Sequence, residues 1–209
     1  MKTHHLHAQQ ENAIAETAVS LQNGALVVFP TDTVYGVGVD AFNAQAIMEL
    51  YAVKQRPYSK GIPILLAGFE DLTKVAAAIP AAAQAAIETH WPGPLTIIVP
   101  KHPSLPGRIS PNEGIALRIP DNDIARALIR AAGGALATSS ANLAGQPPAT
   151  NAGAALAALQ GKIAVVLDGG PTPGSTPSTI VSYLSPRPVI VRQGPIPAHT
   201  LMPQAELAL

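Results

Sequence analysis

Residues 114–142 read GIALRIPDNDIARALIRAAGGALATSSAN, and this stretch carries the clearest fold signal in the chain. It begins with an apolar strand pattern over Ile115–Ile119, continues as a helix over Asn122–Ala132 and returns to an apolar strand over Ala135–Thr138. Strands and helices that alternate at these lengths are typical of a domain in which helices cover a sheet.

The alternation continues to both sides of this stretch. Further strands are predicted at Ala25–Pro30, Ile62–Ala67, Leu95–Val99, Ile163–Leu167, Thr179–Tyr183 and Val189–Val191. Further helices are predicted at Glu11–Gln22, Glu70–Ala78 and Ala81–Thr89, with two more that begin after Asn43 and after Thr150 or Asn151. Because several strands follow one another with no helix between them, we predict a twisted, mixed α/β sheet with covering helices.

The composition excludes several classes of protein. The chain has 209 residues, 13 Lys and Arg against 13 Asp and Glu, and no Cys. The length suits one domain, and the balanced charge gives no overall basic field for tight binding of nucleic acid. The absence of Cys excludes disulfides, a thiolate metal site and a cysteine nucleophile.

The amino terminus and the apolar runs bear on localisation. The first seven residues lack the apolar segment of a signal peptide, and no apolar run is long enough to span a bilayer. We therefore expect a cytoplasmic protein without membrane association. His4, His5 and His7 resemble a metal site only superficially. We expect them to be an incidental run of histidines in a frayed terminus.

Two polar clusters predict a nucleotide site. Lys54–Pro57 places an ammonium and a guanidinium two positions apart. In an extended chain, side chains two positions apart point the same way, so both cations can reach one polyanion. The alternative is a solvated helix end, where Lys and Arg are favoured. Thr138–Asn142 leaves a strand with hydroxyls and an amide, which suit phosphate oxygens, a metal-bound water or a small polar substrate.

Three further segments carry polar groups in apolar surroundings. Thr31–Thr33 offers two hydroxyls and a carboxylate, either to a ligand or to an ordinary turn. Arg118 lies inside an apolar strand, so it faces either solvent or an anion such as a substrate carboxylate. Residues 168–179, rich in Gly and hydroxyls, either close over a ligand or link two strands, and Arg192 ends the last strand.

The order and spacing of these segments make the chain resemble the YrdC-type threonylcarbamoyl-adenylate synthase family, from about Leu26 to Pro195. The matching segments are Phe29–Gly38, Lys54–Pro57, Trp91–Thr96, Ala116–Pro120, Thr138–Asn142, Pro177–Val181 and Arg192–Pro195. The resemblance implies the YrdC-like fold with a concave ligand-binding face. It also implies a nucleotidyltransferase that joins L-threonine, bicarbonate or CO2, and ATP into threonylcarbamoyl-AMP and pyrophosphate. Other proteins then transfer the threonylcarbamoyl group to tRNA.

The resemblance also implies roles for individual residues. Lys54 and Arg56 are expected to be catalytic and to hold the ATP phosphates. The other nucleotide contacts are expected from Ser140, Asn142 and Arg192. Contacts to threonine are expected from Thr31, Arg118, Thr138 and Ser178, in a pocket that Thr33 and Tyr35 shape. Mg²⁺ is expected to arrive with ATP, without a direct protein ligand.

The chain departs from the family pattern in two places. Many relatives have an Asn-Pro-Leu stretch with a downstream His where this chain has Tyr58–Ile64. Long relatives also carry a second domain behind a linker, so we expect here a short form with one domain over residues 1–209, a core from about 11 to 195 and a tail over 196–209. Binding to tRNA, if it occurs, is expected to be weak because the net charge is zero.

Three other readings compete with this enzyme. A divergent, non-catalytic paralogue would bind RNA or a nucleotide on the same face. A carbamoyl-transferring relative normally carries zinc-finger and acylphosphatase-like regions, for which this chain has neither Cys nor spare length. A purely structural module would leave the hydroxyl-rich loops without a ligand.

Overall fold

In the computed structural model, residues 2–174 and 176–201 are described, and they form one large sheet with helices on both faces. The strands are β1 (His4–His7), β2 (Val27–Phe29), β3 (Gly36–Asp40), β4 (Ile64–Leu66), β5 (Leu95–Pro100), β6 (Gly114–Arg118), β7 (Ala135–Ser140), β8 (Val165–Asp168), β9 (Thr179–Ser182) and β10 (Val189–Arg192). The helices are α1 (Ala13–Gln22), α2 (Ala44–Lys54), α3 (Leu72–Val75), α4 (Ala81–His90), α5 (Asp123–Ala131) and α6 (Ala152–Leu159).

The sheet is mixed, as the sequence predicts. The strand order is β1-β8-β2-β3-β7-β4-β6-β5-β9-β10. The pairs β1–β8, β2–β8, β4–β6 and β5–β9 are parallel, and the remaining neighbours are antiparallel. Strands β6 and β7, which flank α5 in the chain, are separated in the sheet by β4. The sheet therefore brings the ends of strands that are distant in sequence to one place.

The two faces of the sheet carry separate apolar clusters. The larger cluster contains Ile47 of α2 and Ile87 of α4, packed against Ile64 and Ile97 on one face. The smaller cluster packs α1 and α5 on the other face, where Leu65 is one of its members. Since Leu65 pairs with Arg118 in register, Arg118 projects from the same face as α1 and α5, farther along the sheet.

Asparagine caps explain where three helices begin. Asn43, Asn122 and Asn151 each accept a hydrogen bond from the backbone N–H three residues on, at 3.0, 2.9 and 2.8 Å. The caps at Asn43 and at Asn151, rather than Thr150, agree with the sequence pattern. Asn122, predicted as the first residue of its helix, is instead the residue that caps it. The segment predicted as one helix over Glu70–Ala78 is instead a 3-10 turn at Phe69–Asp71 followed by the short α3.

Two strands were not expected from the sequence. Thr31–Gly38 reads as a polar loop, yet its last three residues belong to β3, which lies between β2 and β7. The prediction that the terminus around His4–His7 is frayed is wrong, because this segment forms β1 and pairs in parallel with β8 at the sheet edge. Leu6 anchors this strand by packing against the smaller apolar cluster.

The segment after β10 packs on the domain as far as the structure describes it. Ile196 and Leu201 are buried against the larger cluster, so the predicted tail begins as ordered chain. Residues 202–209 lie outside the described residues. Among the helices described, none has both the length and the apolar character required to cross a membrane.

Candidate active site

A pocket opens on the face of the sheet that carries Arg118, where β4, β5, β6, β7, β9 and β10 approach one another. Its cavity measures about 170 Å³, below the range of about 300–1,000 Å³ that encloses a drug-sized ligand, so it encloses only part of a nucleotide. It is lined by Thr31, Thr33, Val34, Tyr35, Gly36, Arg56, Pro63, Leu65, Thr96, Arg118, Thr138, Ser139, Ser140, Pro177, Ser178, Ile180 and Arg192. All the predicted site residues line it except Lys54 and Asn142.

The pocket is cationic. Three arginines line it, and none of the described residues in its lining is Asp or Glu. Burial lowers the pKa of Arg192, and the neighbouring charges of Arg118 and Arg56 lower it further. A guanidinium nonetheless stays protonated at neutral pH. The arrangement favours a ligand with several negative charges.

Arg118 is the most deeply held of these cations. It is 5% exposed. Its Nε donates to the carbonyl of Gly93 at 2.9 Å, one terminal nitrogen donates to Thr33 Oγ1 at 3.0 Å and the other to Asp32 Oδ1 at 2.5 Å. Burial lowers the pKa of Arg118, whereas Asp32 raises it. Three of the five guanidinium N–H groups are thus engaged, and two remain for an anion.

The segment Trp91–Thr96 contributes directly to this arrangement. Trp91 is buried and donates from Nε1 to the carbonyl of Leu95 at 2.7 Å, so its role is structural. The turn it holds presents the Gly93 carbonyl that anchors Arg118. The structural tryptophan therefore also fixes a cation of the pocket.

Arg192 and Ser178 form a second unit of the site. The Nε and a terminal nitrogen of Arg192 donate to the carbonyl of Ser178 at 3.0 and 2.8 Å. Ser178 Oγ lies 2.7 Å from Thr96 Oγ1, which links β5 to the segment before β9. The hydroxyls and the guanidinium are therefore held in one network before any ligand binds.

Lys54 does not line the pocket. It is the last residue of α2, and Gln55 beyond it adopts a left-handed conformation, so the reason for expecting Lys54 and Arg56 to point the same way, an extended chain, is wrong. The Lys54 ammonium is buried and donates to the carbonyls of Ser140 and Asn142 and to Asn142 Oδ1. Burial, and then Arg56, lower the pKa of Lys54 to about 8.

Asn142 also lies behind the pocket wall. Its Oδ1 accepts from Ser140 Oγ at 2.5 Å and from Lys54 at 3.0 Å, and its amide nitrogen donates to the carbonyl of Gln146 at 2.5 Å. Lys54 and Asn142 together fix the chain that presents Ser140 to the cavity. In the geometry described, their contact with a ligand is indirect.

Arg56 is fixed by the divergent segment Tyr58–Ile64. Its Nε donates to the carbonyl of Lys60 at 2.8 Å and a terminal nitrogen to that of Gly61 at 2.7 Å. Tyr58 in turn donates to the carbonyl of Gly107 at 2.6 Å. The segment that departs from the family pattern therefore holds a pocket cation in place through its own backbone.

The loop before β3 supplies hydroxyls that are largely satisfied within the protein. Thr31 Oγ1 donates to the carbonyl of Val34 at 2.6 Å and lies 3.1 Å from Thr33 Oγ1. The Tyr35 hydroxyl donates to the carbonyl of Gly170 at 2.6 Å, and burial is the main cause that raises the pKa of Tyr35 to about 12. Thr138 Oγ1 donates within β7, to the carbonyl of Leu136 at 3.1 Å.

Two polar lining residues had no role predicted from the sequence, and one ion pair was not predicted. Thr96 and Ser139 line the pocket, and Asp32 pairs with Arg118. Thr96 could have been found as the polar residue within the apolar strand Leu95–Val99. No local signal pairs Asp32 with Arg118, because the two lie 86 positions apart.

Comparison with known proteins places this chain in a family. The family model Sua5_yciO_yrdC, described as "Telomere recombination", matches residues 19–194. The chain is 38% identical over 185 residues to the threonylcarbamoyl-AMP synthase of Bacillus subtilis, covering 88% of this chain and 54% of that protein. It is 37% identical to the threonylcarbamoyl-AMP synthase of Chromohalobacter salexigens, covering 82% of this chain and 94% of that protein.

A solved structure agrees with these relatives. The crystal structure of Pyrococcus abyssi Sua5 complexed with L-threonine superposes with a TM-score of 0.90 at 33% identity, over 96% of this chain and 60% of that one. The chain thus spans little more than half the length of the Bacillus and Pyrococcus proteins, at 54% and 60%.

Proposed function

The chain belongs to the Sua5/YciO/YrdC family, and from this premise we propose that it is an L-threonylcarbamoyladenylate synthase. Its substrates are L-threonine, bicarbonate or CO2, and ATP, and its products are threonylcarbamoyl-AMP and pyrophosphate. The observation that carries the proposal is a pocket with three guanidinium groups, a set of hydroxyls and no acidic side chain among its described lining residues.

The reaction suits such a pocket because it requires little covalent chemistry from the protein. The threonine nitrogen forms a bond to the carbon of CO2 and loses a proton, which gives a carbamate. A carbamate oxygen then attacks the α-phosphorus of ATP, and the bond from that phosphorus to the oxygen that bridges it to the β-phosphorus breaks. Pyrophosphate leaves with the bonding electrons. Catalysis then depends on positioning and on neutralising the phosphate charge.

In this proposal the cations divide between the two substrates. Arg56 and Arg192 neutralise the phosphates, and Ser140 contacts the same nucleotide from β7. Lys54 and Asn142 act from behind Ser140, where the buried ammonium adds positive charge and fixes the loop. These five residues form the nucleotide side of the proposed site.

The threonine side lies around Arg118. Two N–H groups of its guanidinium are not engaged by the described partners, and they bind the threonine carboxylate. Thr31, Thr138 and Ser178 supply hydroxyls to the amino acid, and Thr33 and Tyr35 set the shape of the pocket. Thr33 also orients Arg118 directly.

Mg²⁺ enters this proposal as part of the substrate MgATP. Mg²⁺ prefers carboxylate and phosphate oxygens, and the described lining offers no carboxylate, so the ATP phosphates hold the ion. The product is a reactive mixed anhydride that downstream proteins transfer to tRNA. The proposal therefore places the protein in the cytoplasm, where such acceptors are found.

Labelled bicarbonate provides the test. The purified protein is incubated with L-threonine, MgATP and ¹³C-bicarbonate, and the products are separated and weighed by mass spectrometry. The proposal expects a threonine-dependent adenylate whose mass rises by one unit with the label. An adenylate that forms without threonine, or no adenylate while ATP still binds, contradicts it and favours a non-catalytic nucleotide- or RNA-binding paralogue.

A further inference from the structure

Three metal-ligating side chains meet at the edge of the sheet formed by β1 and β8. Each of His5, His7 and Asp168 offers one ligand atom, and these atoms all lie within 4.8 Å of one another. The cluster shares no residue with the lining of the pocket. The proposed reaction therefore does not explain it.

Strand geometry puts these groups together. His7 and Asp168 are directly paired in the parallel register of β1 and β8. His5 lies two positions before His7, and side chains two apart in a strand project from the same face. Leu6 projects to the opposite face, where it packs against the smaller apolar cluster and fixes which face the histidines occupy.

The distances suit a small cation of borderline softness. His5 Nε2 lies 3.0 Å and His7 Nδ1 3.8 Å from Asp168 Oδ2. Ligands at about 2.0–2.1 Å around a tetrahedral Zn²⁺ are separated by about 3.3 Å, which lies between these two values. Two imidazoles and a carboxylate are ligands that Zn²⁺ and similar transition-metal ions prefer, and a fourth position then remains for water.

The carboxylate is oriented before any ion binds. Asp168 Oδ1 accepts from the backbone N–H of Gly170 at 2.9 Å and lies 3.3 Å from the Tyr35 hydroxyl. These contacts leave Oδ2 directed at the histidines. Outer contacts that orient a ligand in this way are a common feature of protein metal sites.

We propose that His5, His7 and Asp168 bind one divalent transition-metal ion of the Zn²⁺ class. The ion ties β1 to β8 and thereby secures the edge strand of the sheet. Because Asp168 also contacts Tyr35, the site connects to the wall of the pocket without contributing to it.

The test is titration of the untagged protein with Zn²⁺ at pH 7.5 by calorimetry, with Co²⁺ absorption as a second readout. The variants are His5→Gln, His7→Gln and Asp168→Asn, which keeps an oxygen for Gly170 and Tyr35. His4→Gln is the matched control, since His4 belongs to the same strand but not to the cluster. We expect one equivalent to bind, at least about tenfold more weakly in each of the three variants and unchanged in the control.

Several results overturn the proposal. One is that the wild type binds Zn²⁺ no more tightly than a His5→Gln, His7→Gln double variant does. The cluster would then be an ion pair only. Another is an equal loss in the His4→Gln control, which indicates non-specific binding by the histidine run. The wild-type Co²⁺ spectrum decides independently of variant folding, because weak absorption of octahedral type without saturation at one equivalent also contradicts the site.

Discussion

At the scale of single residues, the cations of the pocket are fixed by backbone carbonyls. Arg56 donates to Lys60 and Gly61, Arg118 to Gly93, and Arg192 to Ser178. Each arginine therefore keeps its position without a ligand. Groups positioned in this way need no reorganisation when charge develops in a transition state, and this is the largest single contribution in many enzymes.

The lowered pKa of Lys54 predicts a pH dependence of ATP affinity. Burial lowers that pKa to about 8, so the free protein loses the proton as the pH rises through this value. Bound phosphates favour the charged ammonium, so the complex retains the proton to higher pH. ATP affinity should therefore be constant below pH 8 and fall by up to about tenfold per pH unit above it, as measured by calorimetry from pH 7 to 9.5.

Lys54→Arg is the control for this effect, because a guanidinium does not titrate in that range. The variant should show ATP affinity that is flat between pH 7 and 9.5. A wild-type profile equally flat would show that the Lys54 charge does not contribute to binding.

Arg118→Ala should affect threonine more than ATP. A hydrogen bond to a charged group contributes about 1.5–3 kcal/mol, so the KM for L-threonine should rise about 10- to 100-fold. The KM for ATP should change less than about threefold. Steady-state kinetics with each substrate varied in turn measures both values, and Arg130→Ala, an exposed arginine, is the control.

An equal rise in both KM values would contradict this assignment and place Arg118 on the phosphates. The variant also leaves Asp32 without its cation. Thermal unfolding measured alongside separates the loss of stability from the loss of binding.

At the scale of elements, the site depends on a close approach between the end of β10 and the start of β9. A Cβ on Gly194 would lie 2.3 Å from the Thr179 nitrogen and 2.5 Å from the Ser178 carbonyl carbon. Ser178 is the residue that Arg192 holds. The backbone there must shift if any side chain is added.

Gly194→Ala should therefore reduce both stability and activity. We expect a loss of about 1–3 kcal/mol in the free energy of unfolding, as for other overpacked sites, and a lower kcat/KM because Arg192 and Ser178 move together. Gly107→Ala is the matched control, since an added Cβ there meets nothing within 4 Å. Wild-type stability and kcat/KM in Gly194→Ala would contradict the packing described.

The elements that sequence predicts well are those with a local signal. Asn122 marks the start of α5 because its side chain caps the helix, through a contact with a residue only three positions away. β3 carries no such signal, since Gly36 and Gly38 are typical of a loop. It becomes a strand because β2 and β7 pair with it on both sides.

The same distinction separates the predicted site from the observed one. The residue types and their order predict which side chains gather in the pocket, and nine of the eleven do line it. The orientation of Lys54 was not predictable, because it follows from carbonyls at Ser140 and Asn142, some 86–88 positions away. The Asp32–Arg118 pair is hidden for the same reason.

At the scale of the whole molecule, helices cover only part of the face of the sheet that carries the pocket. Helices α1 and α5 cover the part of one face around β2, β8 and Leu65. The pocket opens on the same face farther along, at Arg118 and Arg192. Strands from distant parts of the chain therefore bring their polar residues to one place.

The charge of the whole molecule predicts weak binding to tRNA. The formal net charge is zero, with 13 cationic and 13 acidic residues, so no overall basic field holds the tRNA phosphates, and any binding rests on local phosphate contacts that salt displaces. Affinity for tRNA should be weak at about 50 mM salt and fall steeply by about 200 mM. Fluorescence anisotropy over this range measures it, and tight binding that survives high salt would contradict the prediction.

The most direct test of the proposed function is pyrophosphate release from MgATP in the presence of bicarbonate, with and without L-threonine. It compares the wild type with the Lys54→Ala, Arg56→Ala double variant and with the surface control Arg130→Ala. We expect threonine-dependent release by the wild type and the control, and its loss in the double variant. No threonine-dependent release by the wild type, or release that the double variant retains, would contradict it.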